Sequence, residues 1–326
     1  MAGYILALYP EFVCLAGQCP ATCCSGWKII VDSDAYERFQ NLEDENLRRD
    51  IMEHIIEENA QYHFRHRKSG ACAMLDADGL CRIQRNADER MLCNTCRKFP
   101  RLMAETEGLL WVSFAASCPV VADYILDGRV SWLALVEEGK MEPVSEAELM
   151  AAAGFSGEIS TKVETDVEID AEPVTVSERF EYYADFAMDA LNVLIQHAEL
   201  PYLEKSFDLY EQEEIDEIRF QRYFEQYRYQ WKQFVDQYFL YRYPSRYLEY
   251  PQEDLQERLV QVKGELLLMR IMLCSFYCMT GKLERQDWSA ILHWVYRFCA
   301  HGELAAERNH RNFIKYTSML DSLLLD

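Results

Sequence analysis

The chain has 326 residues, half of them apolar, and a formal net charge of −22. This length suffices for two domains with separate cores, and the composition is that of a folded protein. The negative charge argues against nucleic acid as a partner and against adhesion to an anionic membrane, because both require a basic surface. Nowhere do about eighteen uncharged apolar residues follow one another, so we expect no transmembrane helix.

The opening residues, MAGYILALYPEF, lack the basic start and the long apolar stretch of a secretory signal. We therefore expect a cytoplasmic protein. Structural disulfides are rare in that reducing compartment, and closely spaced cysteines there more often bind a metal or take part in chemistry.

Local signals predict several elements in the first half of the chain. The segment WKIIVDSDAYERFQNL predicts a short strand followed by a helix that Ser33 or Asp34 caps. The charged residues 43–65 favour a further helix. The segment GLLWVSFAASCP predicts a strand that leads into the helix VVADYIL. Pro119 suits the first turn of that helix and places Cys118 at its start.

The later part of the chain reads as a boundary followed by helices. The segment VETDVEIDA alternates apolar and acidic residues, which indicates an edge strand or an acidic loop. Beyond it, apolar residues recur at three- and four-residue spacing, typical of amphipathic helices. We expect three prolines to separate these helices: Pro201, Pro244 and Pro251.

These signals predict a mainly α protein with a cysteine-rich N-terminal domain that contains a few short strands, and with a C-terminal helical domain. The predicted boundaries are 1–130 for the cysteine-rich domain, 131–176 for an acidic, partly extended connector and 177–326 for the helical domain.

Nine of the twelve cysteines lie in the first 118 residues. The other three occur in amphipathic helices, where cysteine usually behaves as a small buried apolar residue. The N-terminal ones instead flank turns, and Cys93 and Cys96 form a CxxC pair whose spacing lets two thiolates reach one ion. We therefore predict a metal or cluster site among these nine residues: Cys14, Cys19, Cys23, Cys24, Cys72, Cys81, Cys93, Cys96 and Cys118.

The residues favour an iron–sulfur cluster of the 4Fe–4S type, with zinc as the alternative. Structural zinc sites usually have two closely spaced ligand pairs, whereas this chain has one CxxC and few nearby histidines. All-thiolate sites with varied spacing suit iron–sulfur clusters. The adjacent Cys23 and Cys24 need not bind the same metal, because consecutive side chains in extended backbone point apart.

Several segments resemble the flagellin lysine-N-methylase family, part of a wider group of zinc- or iron-chelating proteins with a CxxxCC motif. CPATCCSGWKIIVD resembles the opening of the family, with CxxxCC, Gly-Trp and a short strand that ends in Asp. GLCRIQRNADERMLCNTCRKFPR is similar to the second half of the wider motif. SFAASCPVVADYIL and YFLYRYPSRYLEY match later landmarks more loosely.

The resemblance implies an iron–sulfur cluster and S-adenosylmethionine-dependent methylation of lysines on flagellin or another lysine-bearing protein. It also carries the family's ligand positions onto the nine cysteines named above. Two features depart from known methyl-donor sites. Gly26 stands where a C-x3-C-x2-C motif would have its third cysteine, and no glycine-rich strand-turn-helix is present, so an ordinary nucleotide-binding fold is not expected.

Two residues beside the cysteines are candidates for cofactor binding. Trp27 either shields the metal or packs in the ordinary way. Arg97 either binds a cluster or the donor carboxylate, or forms a surface ion pair. Tyrosines 223, 227, 238 and 241 either form a wall for the substrate lysine or, as we favour, pack the core.

The leading functional hypothesis is a methyltransferase of this kind. The alternative is a non-catalytic metal-binding or redox-sensing protein whose helical domain binds a partner. In a third interpretation the metal is a purely structural zinc. Binding of S-adenosylmethionine separates the first interpretation from the second, and visible absorbance separates iron–sulfur from zinc.

Overall fold

The computed structural model describes residues 2–136, 139–155, 217–250, 252–301 and residue 313. The strands in these ranges are β1 (Gly3–Leu6), β2 (Ile30–Val31), β3 (Ile55–Glu58), β4 (Gln61–Phe64), β5 (Arg101–Thr106), β6 (Leu109–Phe114), β7 (Trp132–Leu135) and β8 (Met141–Pro143). The helices are α1 (Ser33–Gln40), α2 (Glu45–Glu53), α3 (Arg82–Asn86), α4 (Asn94–Lys98), α5 (Pro119–Leu126), α6 (Glu146–Ala152), α7 (Glu217–Glu249), α8 (Leu255–Thr280) and α9 (Arg285–His301). A few N-terminal strands and a helical C-terminal part are what the sequence predicts.

Five strands form one sheet in the order β5-β6-β1-β7-β8. Strand β1 lies in the middle, parallel to β6 and antiparallel to β7. Trp111 on β6 is fully buried and meets Trp132 and Tyr247 edge-on. Because Tyr247 belongs to α7, the sheet and the C-terminal helices share one apolar core.

A second, smaller sheet has the order β2-β4-β3. The helix predicted over 43–65 is wrong in its second half, since α2 ends at Glu53 and a β3–β4 hairpin follows. The β-branched Ile55 and Ile56 favour a strand. Asn59 and Ala60 have φ values of 53° and 59°, the left-handed conformation that closes a tight hairpin.

Helix α1 begins one or two residues earlier than expected. Its N-cap is Asp32, whose Oδ1 accepts a hydrogen bond from the Ala35 amide at 3.1 Å, and not Ser33 or Asp34. Asp32 Oδ2 also accepts from the Asn94 amide at 2.6 Å. One carboxylate therefore caps α1 and fixes the start of α4.

The strand and helix predicted around Cys118 are confirmed. Strand β6 ends at Phe114, and α5 begins at Pro119 in its first turn with Cys118 as the N-cap. Proline suits this position because its missing amide hydrogen would have no partner in the first turn.

Three of the predicted C-terminal helices are confirmed as α7, α8 and α9, but Pro244 lies inside α7 instead of ending a helix. A proline leaves the carbonyl four residues earlier without its amide donor. Here the Trp132 indole N–H donates to that carbonyl, on Leu240, at 3.2 Å. The side chain of a strand residue thus replaces the missing helical hydrogen bond.

A buried ion-pair network lies between α7 and α8. Glu265 accepts from Arg242 at 2.8 and 2.9 Å and from the Tyr238 hydroxyl at 2.7 Å. Burial alone would raise the pKa of Glu265, but Arg242 holds it below the ordinary value. The carboxylate therefore stays ionised inside the helical core.

The tyrosines considered as a lysine-binding wall all belong to the apolar core. Tyr238 and Tyr241 are fully buried, and Tyr223 and Tyr227 are nearly so. The core-packing interpretation therefore agrees with the structure.

Some of the predicted features lie outside the described residues. They are the acidic segment 163–172, the helix over 180–196, Pro201 and Pro251. No helix in the described ranges is long and apolar enough to cross a membrane.

Candidate metal centre

Five cysteines surround a small cavity beside the second sheet. We call them the cavity group: Cys24, Cys72, Cys81, Cys93 and Cys96. The rest of the lining is apolar: Ile29, Phe64, Met74, Leu75, Ile83 and Leu92. Residues far apart in the chain thus place five sulfur atoms around one water-poor space.

Short elements position these sulfurs. Cys81 and Cys93 are the N-caps of α3 and α4, and Cys96 follows one turn later in α4. The Sγ atoms of Cys93 and Cys96 are 3.4 Å apart, as the CxxC spacing suggests. The Cys72 amide donates to the Cys24 carbonyl at 2.6 Å. This hydrogen bond brings the adjacent pair Cys23 and Cys24, which we call the CC motif, to the cavity.

The environment gives the cavity group unequal acidities. Burial raises the pKa of Cys72 to about 12 and also raises that of Cys81. The hydrogen bond with Cys96 lowers the pKa of Cys93, and the hydrogen bond with Cys23 lowers that of Cys24 to about 7. Because a metal binds the thiolate, Cys24 and Cys93 are the sulfurs that release their protons most readily.

The other four candidate cysteines do not line the cavity. We call them the loop group: Cys14, Cys19, Cys23 and Cys118. Three belong to the opening loop, and the fourth is buried at the start of α5. Burial raises the pKa of Cys118 to about 11, and Cys19 and Cys14 add to this because their thiolates would repel a thiolate at Cys118.

The helical core fixes the segment that carries Cys118. The Tyr241 hydroxyl on α7 donates to the Phe114 carbonyl at 2.6 Å and accepts from the Ala116 amide at 3.0 Å. All these groups are buried, so the hydroxyl holds the chain between β6 and α5 in place.

Tyr241→Phe is therefore expected to lower the free energy of unfolding by about 2 kcal/mol, because the buried Ala116 amide loses its acceptor. Urea denaturation followed by circular dichroism measures this. Tyr243→Phe is the matched control, since the Tyr243 hydroxyl has no hydrogen-bond partner among the described residues. Equal losses in the two variants would contradict the assignment.

The two residues predicted to bind a cofactor lie next to the cysteines, and their roles stay predictions. The Trp27 indole N–H donates to the Cys23 carbonyl at 2.6 Å, and its ring packs against Phe99. Arg97 is exposed on α4 and donates to Asn94 Oδ1 at 2.6 Å. Trp27 thus supports the backbone of the CC motif directly.

Sequence reasoning missed Arg297 on α9. A Cβ atom on Gly26 would lie 3.0 Å from Arg297 Nη2, so the guanidinium rests on the loop that follows the CC motif. That Nη2 atom is buried and has no hydrogen-bond partner among the described residues. No local pattern marks Arg297, because only the tertiary packing of α9 brings it to the cysteines.

His66 is a second missed candidate. It pairs with Cys72 across an isolated β-bridge, and burial lowers its pKa. Its Nε2 atom is buried with no hydrogen-bond partner in the described part of the chain. A neutral imidazole beside the cavity group has the chemistry of a nitrogen donor.

The chemistry of the donor set fits a sulfur-bound metal. All twelve cysteines are free thiols. Among the described residues no group of three or more His, Cys, Asp or Glu side chains is arranged so that it could hold a metal ion. Five thiols around an apolar cavity nevertheless match the ligand chemistry of an iron–sulfur cluster, and also of a zinc site with four cysteine ligands.

Comparison with known proteins identifies similar sequences. The chain is 31% identical over 126 residues to the lysine-N-methylase of Salmonella typhimurium. The matched segment covers 37% of this chain and 31% of that protein. The lysine-N-methylase of Salmonella choleraesuis matches equally. The flagellar biosynthetic protein FliU of Salmonella muenchen is 30% identical over 126 residues, which cover 75% of its length.

The match thus spans about a third of the two lysine-N-methylases and three-quarters of FliU. No family model matches the chain. No solved structure matches it either.

Proposed function

Because this chain belongs to the lysine-N-methylase family that includes the flagellar protein FliU, we propose that it methylates lysine side chains of flagellin. The observation that carries this proposal is the similarity to FliU over three-quarters of that protein. The methyl donor we propose is S-adenosylmethionine.

The proposed reaction is a displacement at the methyl carbon of the donor. The lysine Nζ loses a proton, its lone pair attacks the methyl carbon, and the carbon–sulfur bond breaks with its electron pair going to sulfur. The products are methyl-lysine, S-adenosylhomocysteine and the released proton. Lysine is protonated at neutral pH, so the site must desolvate the ammonium or accept its proton.

We further propose that the cavity group binds an iron–sulfur cluster. Its five sulfurs around an apolar cavity support this, as does the single CxxC of Cys93 and Cys96. When bound, such a cluster supplies a redox-active iron centre whose potential depends on burial and on hydrogen bonds to its sulfurs. Trp27 on the CC motif would limit the access of water to this side of the site.

A second candidate function is redox sensing without catalysis. The Cys93–Cys96 sulfur separation of 3.4 Å and the lowered pKa of Cys93 favour it, since such a pair can be oxidised reversibly to a disulfide. A sensor of this kind would not bind S-adenosylmethionine, which separates the two functions.

We expect the anaerobically purified chain to be brown, to contain iron and sulfide, and to bind S-adenosylmethionine in calorimetry. With purified flagellin it should add increments of about 14 Da, one methylene each, to lysine in mass spectrometry. Cys81→Ser should lose the visible absorbance and the methylation. Cys278→Ala, in the buried helix α8, is the matched control and should keep both.

Two outcomes would revise the proposal. A chain that binds metal but neither binds the donor nor modifies flagellin would favour the sensor. A colourless chain that carries zinc would remove the cluster and leave the methylation assay to decide the activity.

A further inference from the structure

Arg297 on α9 lies against the loop that follows the CC motif. A Cβ atom on Gly26 would lie 3.0 Å from Nη2, 3.3 Å from Cζ and 3.6 Å from Nε of this arginine. The guanidinium therefore lies over the space that any side chain at position 26 would fill. Gly26 also has a φ of +78°, which glycine adopts without strain. Glycine thus lets Arg297 approach the backbone two residues after Cys24.

One nitrogen of this guanidinium has no acceptor within the described part of the chain. It is Nη2, which is buried. The Cys23 thiol is close enough for its charge to act on Arg297, but that thiol is hydrogen-bonded to Cys24. A buried N–H group without an acceptor is costly, and the guanidinium of arginine stays charged in proteins. A guanidinium in this environment favours an anionic acceptor.

Other arginines around the cysteines are already engaged, which sets Arg297 apart. Arg38 and Arg67 donate to backbone carbonyls. Arg97, which the sequence predicts as a cofactor-binding residue, is exposed and donates to Asn94 Oδ1. Arg297 is instead partly buried, and its Nη2 atom is unpaired in the described ranges.

A small ligand can reach this place from solvent. Gly26 and Cys23 are exposed, and Arg297 and Trp27 are partly exposed. The guanidinium therefore lies at the border between the protein interior and the surface, where one face can meet a ligand.

The two reactants of the proposed methylation differ in charge. The substrate lysine is a cation before it loses its proton, and a guanidinium repels it. S-adenosylmethionine carries one anionic group, the carboxylate of its methionine part. The planar fork of a guanidinium matches a carboxylate with two parallel N–H···O hydrogen bonds. Arg297 therefore suits the methyl donor and not the lysine.

We infer that Arg297 binds the carboxylate of S-adenosylmethionine and holds the methyl donor beside the CC motif. The inference rests on the proposed function and deepens it, because it assigns a donor-binding residue on a C-terminal helix. It holds whether the cavity group binds iron or zinc.

The test compares the binding of two ligands to the full chain in calorimetry after anaerobic purification. The first is S-adenosylmethionine, and the second is its decarboxylated form, which keeps the sulfonium, the amine and the adenosine. The wild type should bind the first ligand about 10- to 100-fold more tightly, because only this ligand offers charge-assisted hydrogen bonds to the guanidinium. Arg297→Gln should lose this preference and bind the two ligands with similar affinity.

Two further variants separate charge and geometry from general effects. Arg297→Lys keeps the positive charge without the planar fork and should retain part of the preference. Arg285→Gln is the matched control, because Arg285 lies on the same helix but forms a surface ion pair with Asp127 at 2.7 Å. It should bind both ligands as the wild type does. Circular dichroism establishes that each variant is folded.

Two results would overturn this inference alone. The first is a wild type that binds both ligands with equal affinity. The second is an Arg297→Gln variant that keeps the wild-type preference, even at lower affinity for both ligands, since Arg297 would then only support the loop. A wild type that binds neither ligand would refute the donor in the proposed function, and this assignment with it.

Discussion

Glu265→Gln is expected to lower the free energy of unfolding by about 3–5 kcal/mol. Glu265 is fully buried and accepts two hydrogen bonds from Arg242, while Arg246 Nη1 lies 3.6 Å away. Glutamine keeps the shape but removes the negative charge that two buried guanidiniums share. Arg242 keeps its ion pair with Glu249 and Arg246 keeps its ion pair with Glu253, so the cost arises from the lost buried charge and from the new amide group, which faces guanidinium donors.

Urea unfolding of the full chain measures this loss. The matched control is Glu284→Gln, because Glu284 forms an ion pair with Lys282 at the surface and both groups are largely exposed. We expect its unfolding free energy to equal that of the wild type within error. Similar losses for the two variants would show that the buried network contributes no more than a surface pair.

The stability of the helical core should fall as the solution is acidified below pH 6.5. Burial lowers the pKa of His293 to about 4, and Arg297 one turn later acts in the same direction. In the unfolded chain this histidine takes up a proton near its ordinary value of 6.5. Between these values only the unfolded state binds the proton, so stability present above pH 6.5 is lost progressively down to pH 4.

The full loss is about 3 kcal/mol for a difference of this size, since each pKa unit is worth about 1.4 kcal/mol. The measurement is the unfolding free energy at several pH values, taken as wild type minus His293→Gln so that other titrating groups cancel. His54→Gln is the control, because His54 follows the end of α2 and is partly exposed. An identical pH dependence in wild type and His293→Gln would refute the assignment.

Local sequence signals predict much of the framework. Pro119 marks the start of α5 and places Cys118 correctly, because proline's fixed φ suits a first helical turn. The apolar spacing of α7 to α9 is regular enough to predict all three helices. The density of cysteines likewise marks the segment in which five thiols surround a cavity.

Other features depend on contacts between distant residues. Pro244 continues a helix because Trp132, more than a hundred residues earlier, donates to the Leu240 carbonyl. Arg297 reaches Gly26 only through the packing of α9. The contact of Cys24 with Cys72 follows from one backbone hydrogen bond that no spacing rule contains.

The position of β1 in the middle of its sheet has a consequence for biosynthesis. Residues 3–6 pair with β6 and β7, so β1 cannot join its sheet until β6 has left the ribosome. All five cysteines of the cavity group lie in the segment between β1 and β6, which this pairing closes into a loop. The entropic cost of closing such a loop rises only slowly with its length. The cysteine segment can therefore fold before β1 pairs with β6 and β7. Formation of the sheet then brings the two ends of this segment together.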